Sequence, residues 1–163
     1  MKPPTDRICL VIPYYEAGED LVESLESVRL GRADLIVVVD DGSRRRPARG
    51  LVPPTVGDTP VRLVEMARNG GITAALRAGI AAVPADFALI ARLDCGDTCR
   101  PTRFTAQREL LAAHPGVVLV GSWVDFVSPD GAFLYRLEQP VDPAAVRRRM
   151  RVNCAITHPA AMF

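Results

Sequence analysis

Short apolar runs alternate with segments of helical periodicity along most of the 163-residue chain. The run at 7–12 is apolar after Arg7, and the run at 35–39 is apolar throughout. Such continuous runs are typical of strands buried on both faces of a parallel sheet. Between them, Leu21, Leu25 and Val28 recur at helical spacing with acids among them. The sequence therefore predicts an α/β domain, a mainly parallel sheet with helices on both faces. Strands are predicted at 7–12, 35–39, 61–66, 87–90 and 117–120, with a hairpin at 126–134, and helices at 20–30, 72–83, 101–113 and 143–150.

Polar side chains follow three of these strands directly. The first strand and the Pro13 that ends it are followed by Tyr14-Tyr15-Glu16. The acid pair at 40–41 follows the second strand, and Asp94 and Asp97 follow the fourth. Right-handed crossovers bring the carboxyl ends of parallel strands to one edge of the sheet, so we expect these loops to lie together.

Two carboxylates at such an edge suit a divalent cation that bridges to phosphates. The alternative is that Asp94 and Asp97 only cap the next helix. The chain has neither a G-x-G-x-x-G after its first strand nor a P-loop, so a metal is the expected partner of a bound diphosphate. Asp40 is expected to be structural, bonding the amides of its own turn.

Composition excludes several classes of protein. Lys+Arg 20 against Asp+Glu 19 gives a net charge of +1, which offers no general attraction to nucleic acid or to an anionic membrane,. No apolar run approaches the roughly 20 residues of a membrane span. Residues 1–7 lack the apolar core of a signal peptide. The expected compartment is the cytoplasm, with the inner face of the membrane as the alternative location.

The cysteines allow one further interpretation. Cys95 and Cys99 together with Cys154 and His158 supply four zinc-ligand types, but neither pair has the tight C-x-x-C spacing and the gap between the pairs is long,. We therefore expect free thiols and no zinc site. His158 is expected to be a loop or core residue, and Trp123 to pack in the core or against the hairpin.

Several short motifs occur in an order that resembles the family 2 glycosyltransferases. They are Val-Ile-Pro-Tyr-Tyr-Glu (11–16), Val-Val-Asp-Asp-Gly-Ser (38–43), Asn-Gly-Gly-Ile (69–72) through Ala-Gly-Ile (78–80), Ala-Arg-Leu-Asp-Cys-Gly-Asp (91–97), Arg103-Phe104, Gln107, Val-Gly-Ser-Trp (120–123) and His158-Pro159. Each motif is weak alone, but their common order is specific. The resemblance covers nearly the whole chain, from about residue 8 to residue 163.

The resemblance implies a GT-A fold that holds a sugar nucleotide with Mg²⁺ or Mn²⁺. By this likeness Pro13 and Tyr14 border the base with Glu16 nearby, and Asp41 hydrogen-bonds a uracil or thymine ring. Asp94 is implied to lie by the ribose and diphosphate. The implied reaction is inverting transfer of a sugar from a UDP- or dTDP-linked donor to a hydroxyl of a glycan or lipid-linked acceptor, as in polysaccharide biosynthesis.

The sequence departs from the family pattern at the metal site. The family's metal-contacting aspartate usually occupies the third position of its D-x-D motif, which is Gly96 here. The next residue is Asp97. We therefore expect Asp94 and Asp97 to hold the metal, with Asp97 taking over the missing ligand.

A second departure concerns the catalytic base, which in the family is an acid downstream of the His-Pro motif. No Asp or Glu follows Asp142, and the chain stops at Phe163. The likeness thus implies a base beyond Phe163 and a single donor-binding domain over 1–163, truncated at its carboxyl terminus.

Three other functions compete with a transferase. A catalytically incomplete nucleotide-sugar-binding module is the main alternative. A nucleotidyltransferase would usually have a basic glycine-rich loop after the first strand, where this chain has Tyr14-Tyr15-Glu16. A phospho-receiver domain would need a lysine in its site, and Lys2 is the only lysine.

Overall fold

The computed structural model describes residues 7–163, so most of the segment judged not to be a signal peptide lies outside the described residues. The strands are β1 (Ile8–Tyr14), β2 (Leu35–Asp40), β3 (Thr55–Val56), β4 (Thr59–Glu65), β5 (Leu89–Arg92), β6 (Val124–Val127) and β7 (Phe133–Leu137), and the α-helices are α1 (Asp20–Ser27), α2 (Ile72–Ala81), α3 (Arg103–Ala113) and α4 (Pro143–Arg149). Short 3₁₀ turns occupy Ala48–Gly50 and His158–Ala160. No helix among residues 7–163 has the length and apolar character needed to cross a membrane.

The main sheet has five strands in the order β3-β4-β2-β1-β5, and its four longer strands are parallel. In the register, Tyr14 at the end of β1 lies opposite Asp40 at the end of β2, and Val11 lies opposite Arg92 at the end of β5. The carboxyl ends of β2, β1 and β5 are therefore neighbours at one edge. This confirms the predicted α/β class and the mainly parallel sheet.

The two faces of β1 and β2 are buried against different helices. Ile8, Leu10 and Ile12 of β1 pack in one cluster with Leu21 of α1 and Phe104 of α3. The alternate residues of β1 and β2 pack in a second cluster that includes Ala75 of α2. Burial on both faces explains why these two strands read as continuous apolar runs, as predicted.

Some predicted boundaries are wrong. β5 begins at Leu89 and not at residue 87, and three of its four residues are only partly buried. It is less buried than predicted because it lies at the end of the sheet, where its other side meets only a bridge to Met162. The predicted strand at 117–120 reduces to one bridge from Val120 to Met162. Pro13 does not end β1 but pairs within it, since a proline near a strand end removes only one donor,.

Two features near the end of the chain follow the prediction. β6 and β7 form the predicted hairpin, and its turn contains Gly131 at a φ of 84°. Asp142 caps α4 as predicted, because its carboxylate accepts a hydrogen bond from the N–H of Ala145 at 2.8 Å,.

Gly79 of α2 allows this helix to lie directly on the sheet. A Cβ at this position would come 2.5 Å from Cγ1 of Val11 and 3.0 Å from Cγ2 of Val39. Alanine would gain about 1 kcal/mol of helix propensity, but overpacking against stiff β-branched side chains costs about 1–3 kcal/mol. We expect Gly79→Ala to lower the free energy of unfolding in urea, whereas Thr73→Ala on the exposed side of α2 should not lower it.

Candidate functional site

Glu16, in the loop after β1, holds the loop after β2 in place. Its carboxylate accepts hydrogen bonds from the backbone N–H groups of Arg44 (2.7 Å to Oε1), Arg45 (3.1 Å to Oε1) and Arg46 (2.8 Å to Oε2). Its own N–H donates to Oγ of Ser43 at 2.9 Å. These bonds, that from Arg44 first, lower the pKa of Glu16,. The loops after β1 and β2 thus form one unit, which we call the Glu16 latch.

We expect Glu16→Ala to release residues 44–46 and to raise their cleavage rate by trypsin several-fold. Glu19→Ala, a change at an exposed acid of the same segment, should leave the rate unchanged. Because these hydrogen bonds lower the pKa of Glu16, the stability that they give the loop is complete above the ordinary glutamate pKa. This stability is lost as the pH falls through the lowered pKa of Glu16,. Unchanged cleavage in the Glu16→Ala variant would show that the latch does not order the loop.

Asp40 and Asp41 are both buried and both accept hydrogen bonds from backbone N–H groups. Asp40 accepts from Ser43 and Ala48, each at 2.8 Å, so its predicted structural role is confirmed. Asp41 accepts from residues 70 and 71 at 2.7 and 2.8 Å. Asp41 therefore ties the end of β2 to the loop before α2, and its contact with a pyrimidine base stays a prediction.

The two tyrosines at the end of β1 have different environments. Tyr14 is 1 % exposed, and its hydroxyl donates to the carbonyl of Arg46 and accepts from the N–H of Gly18 at 3.1 Å. Tyr15 is 52 % exposed. Pro13 is buried like Tyr14. The predicted base contacts of Pro13 and Tyr14 thus stay predictions, and in this structure both side chains lie in the core.

A cavity of about 660 Å³ opens between the latched loops. Its lining consists of Tyr15, Glu16, Gly42, Arg44, Arg45, Arg46 and Asn69. An exposed aromatic ring beside backbone and guanidinium donors can stack on a planar base and bond its acceptors. We call this space the loop cavity. Of the predicted base-binding residues, only Glu16 lies in its wall.

Two serines of α1 fix the loop after β5. Oγ of the buried Ser24 accepts a hydrogen bond from the N–H of Gly96 at 2.9 Å and lies 2.9 Å from the carbonyl oxygen of Asp97. Oγ of Ser27 accepts from the N–H of Cys99 at 3.0 Å. The position of Asp94 and Asp97 relative to β1 is therefore set by α1.

The two acids of this loop differ in their partners. Asp94 forms a two-point ion pair with Arg92, from Nε to Oδ1 at 2.7 Å and from an amino nitrogen to Oδ2 at 2.8 Å. Partial desolvation and the charge of Asp94 raise the pKa of Asp97, and Arg103 and Arg92 offset only part of this,. Asp97 therefore carries the less compensated negative charge.

Asp94 and Asp97 fit a divalent cation when a ligand supplies further oxygens. Both are hard donors, and a cation would relieve the repulsion between the two carboxylates,. Each oxygen of Asp94 keeps a lone pair beside its bond to Arg92. No group of three or more His, Cys, Asp or Glu side chains among residues 7–163 could hold a metal by itself. Such a pair suits Mg²⁺ or Mn²⁺ that is also bound to phosphate oxygens.

The zinc alternative has no support in the geometry. All four cysteines are free thiols. Cys99 lies against Ser27 of α1, whereas Sγ of Cys154 lies 3.3 Å from Nε2 of His158. The two pairs do not form a ligand cluster in the described part of the chain.

The segment that contains His158 is held in place by α3. Gln107 is buried and donates through Nε2 to the carbonyl of Ala160 at 2.8 Å. Arg103 donates to the carbonyls of Arg92 (2.7 Å) and Ala161 (3.2 Å). Both His158 and Asp94 line a second cavity. His158 was expected to be a loop or core residue, and it is an exposed residue of the 3₁₀ turn.

The structure brings the three predicted loops to one sheet edge, but the residues that line the loop cavity differ from those predicted. Tyr15, Arg44 and Asn69 were not among the predicted contacts. Tyr15 could have been recognised from its position, since it is the first residue after β1, a strand that is buried on both faces. Arg44 and Asn69 gave no local signal. Their positions depend on bonds across about 30 residues of sequence, from Arg44 to Glu16 and from Gly70, the neighbour of Asn69, to Asp41.

Nearly the whole chain matches the model of one protein family. The family model described as glycosyl transferase family 2 matches residues 9–162. The chain belongs to glycosyl transferase family 2. The resemblance seen in the ordered motifs is thereby confirmed, and the chain carries a transferase domain.

Relatives and solved structures agree with this membership. The succinoglycan biosynthesis protein ExoO of Rhizobium meliloti is 33 % identical over 160 residues, which cover 90 % of this chain and 44 % of the relative. An undecaprenyl-phosphate 4-deoxy-4-formamido-L-arabinose transferase of Pseudomonas aeruginosa is 43 % identical over 86 residues, or 48 % of this chain and 25 % of the relative. The chain thus spans less than half the length of these relatives.

A structural match gives the fold. The mannosyltransferase PcManGT from Pyrobaculum calidifontis, solved in complex with GDP-Man and Mn²⁺, aligns with 98 % of this chain and 45 % of its own at a TM-score of 0.63 and 20 % identity. The predicted GT-A fold is therefore confirmed.

Proposed function

We propose that this chain binds the donor of an inverting, metal-assisted sugar transfer, a UDP- or dTDP-linked sugar. The observation that most supports this proposal is that the loop cavity opens at the same sheet edge as Asp94 and Asp97. A base stacked on Tyr15 would direct its diphosphate along that edge toward the two carboxylates. The family membership and the GDP-Man and Mn²⁺ bound to the structural relative support a nucleotide sugar as ligand.

In the proposed reaction an acceptor hydroxyl attacks the anomeric carbon, the bond from that carbon to the diphosphate oxygen breaks, and the hydroxyl proton passes to a base. Asp94 and Asp97 would hold Mg²⁺ or Mn²⁺, which would supply positive charge to the departing diphosphate. Arg92 orients Asp94, and the Glu16 latch preorganises the loop cavity.

The acceptor is proposed to be a glycan or a lipid-linked group. Succinoglycan is named for one relative and undecaprenyl-phosphate for another, and both names concern sugar transfer in polymer or lipid-linked assembly. We propose that the reaction takes place in the cytoplasm, with the inner face of the membrane as the alternative location.

Isothermal titration with UDP, dTDP and GDP, with and without Mn²⁺, tests the donor assignment. We expect UDP or dTDP to bind more tightly than GDP and Mn²⁺ to strengthen binding. Absence of any nucleotide binding in the presence of Mn²⁺ would contradict the proposal. Hydrolysis of UDP-sugars would exclude a catalytically incomplete binding module.

A further inference from the structure

The wall of the second cavity contains a thiol and an imidazole in contact. Sγ of Cys154 lies 3.3 Å from Nε2 of His158. Both residues line this cavity of about 380 Å³, together with the ion pair of Arg92 and Asp94. An imidazole beside a thiol can take the S–H proton and hold the thiolate as an ion pair, which makes the sulfur a nucleophile. We call Cys154 and His158 the thiol–imidazole pair.

The sulfur of this pair is held by its own short loop. Sγ of Cys154 also lies 3.0 Å from the carbonyl oxygen of Ile156, and the N–H of Cys154 donates to Oδ1 of Asn153 at 2.8 Å. The S–H can donate to this carbonyl or, when Nε2 carries no proton, to the ring of His158. Only the second arrangement passes the proton to the ring. Cys154 is partly exposed and His158 is exposed, so a reagent can reach the pair from solvent.

The other three cysteines are protected from reaction. Cys9 is 0 % exposed, and burial raises its pKa to about 12,. Cys99 is also buried. Cys95 packs against the core and has acids on both sides, whose negative charge disfavours a thiolate,. Cys154 is therefore the thiol of this chain that we expect to react first.

The rest of the cavity wall indicates what a reagent should carry. Oε1 of Gln139 and Oγ1 of Thr157 are buried, and no described residue provides either with a hydrogen-bond partner. An amide oxygen only accepts, so Gln139 requires an N–H donor, whereas the hydroxyl of Thr157 can donate or accept. Arg149 adds an exposed guanidinium, which favours a carboxylate,. A small acidic peptide has both N–H groups and carboxylates.

We propose that Cys154 is a modification site that forms a mixed disulfide with an acidic peptide disulfide of the glutathione type. The thiolate attacks one sulfur of the peptide disulfide, the S–S bond of the reagent breaks, and a new S–S bond joins Cys154 to one peptide. The other peptide leaves as a thiolate and receives the proton held by His158. Cys154 is thereby oxidised and the departing peptide is reduced to a thiol. This modification does not depend on the proposed function.

Labelling with iodoacetamide tests the thiol–imidazole pair. Near neutral pH, peptide mass spectrometry should show Cys154 alkylated at least about tenfold faster than each other cysteine. His158→Gln should slow this alkylation by about tenfold or more, and the difference should vanish well above the ordinary cysteine pKa, where the thiol ionises without the ring. His114→Gln, a change at the other histidine of the chain, should leave the rate unchanged.

The rate at Cys9, measured in the same digests, reports whether a variant is folded, because this buried thiol becomes accessible only on unfolding. Equal labelling of all four cysteines in the unchanged chain would overturn the proposal. So would an unchanged rate at Cys154 in a folded His158→Gln variant.

Glutathione disulfide tests the peptide part of the proposal. The chain should gain one glutathione at Cys154, which dithiothreitol removes. Cystamine, a disulfide with ammonium groups and no carboxylate, should react at least about tenfold more slowly, when each rate is divided by that of the same disulfide with free N-acetylcysteine. Attachment at another cysteine would overturn the proposal, as would equal relative rates for the two disulfides.

Arg149→Ala should slow the reaction with glutathione disulfide by about threefold or more and leave alkylation by iodoacetamide unchanged, because only the disulfide carries carboxylates. Arg147→Ala is the matched control, since Arg147 is also in the last turn of α4 but does not line the cavity. Equal slowing in the two variants would indicate general attraction by the basic helix and overturn the assignment of the peptide to this cavity.

Discussion

Replacing Asp97 by Asn should remove the metal dependence of UDP binding. In the unchanged chain we expect Mn²⁺ to raise the affinity for UDP by about tenfold or more, since even the loss of an outer-shell partner of a metal ligand typically costs about 10- to 100-fold in metal affinity. In Asp97→Asn the affinities with and without Mn²⁺ should be the same, because the less compensated carboxylate of the pair is gone. Isothermal titration in Mn²⁺ and in EDTA measures both values.

The matched control is Thr98→Ala, a change at the exposed neighbour of Asp97. It should keep the metal dependence. A cation must compete with the proton on Asp97, whose pKa is raised, so the Mn²⁺ effect should weaken as the pH falls through that raised value,. Retention of the full Mn²⁺ effect in Asp97→Asn would show that Asp97 does not replace the D-x-D ligand.

Replacing Gly42 by Ala should both destabilise the fold and impair the loop cavity. Gly42 has a φ of 73°, and a Cβ there would lie 2.4–2.7 Å from backbone atoms of Arg68 and Asn69. The conformation alone costs about 1–2 kcal/mol for alanine, and backbone on the other side cannot move away as a flexible side chain can. We expect a loss of at least about 2 kcal/mol in the free energy of unfolding, measured in urea.

Gly50→Ala is the control for this change. A Cβ at Gly50 meets nothing within 4 Å, and its φ lies outside the left-handed region. Its free energy of unfolding should change little. If Gly42→Ala were as stable as Gly50→Ala, the close approach of the loop after β2 to residues 68–69 would be wrong.

The sheet could be predicted from the sequence because a strand buried on both faces has a continuous run of apolar residues. β1 and β2 are continuous apolar runs for that reason, and the acids and tyrosines after them fix the functional edge. The same logic failed at 117–120, where an apolar run is not paired as a strand beyond the bridge from Val120. Val118 and Leu119 of this run are exposed, so the apolar run here indicated neither burial nor strand pairing.

The roles of individual site residues were harder to predict. An acid at a strand end looks the same in sequence whether it binds a ligand or backbone amides, and Asp41 does the latter in this structure. Glu16 adopts a φ of 54° and bonds residues about 30 positions away, which no local pattern signals. His158 reaches the edge only because Gln107 and Arg103 of α3 hold the segment beside it.

The central claim is that the loops after β1, β2 and β5 form one site for a nucleotide sugar. A crystal structure of the chain with UDP and Mn²⁺ tests it most directly. We expect the uracil ring against Tyr15 in the loop cavity and the diphosphate with its metal at Asp94 and Asp97. Ordered UDP at any other surface, with both the loop cavity and these carboxylates free of nucleotide, would contradict it.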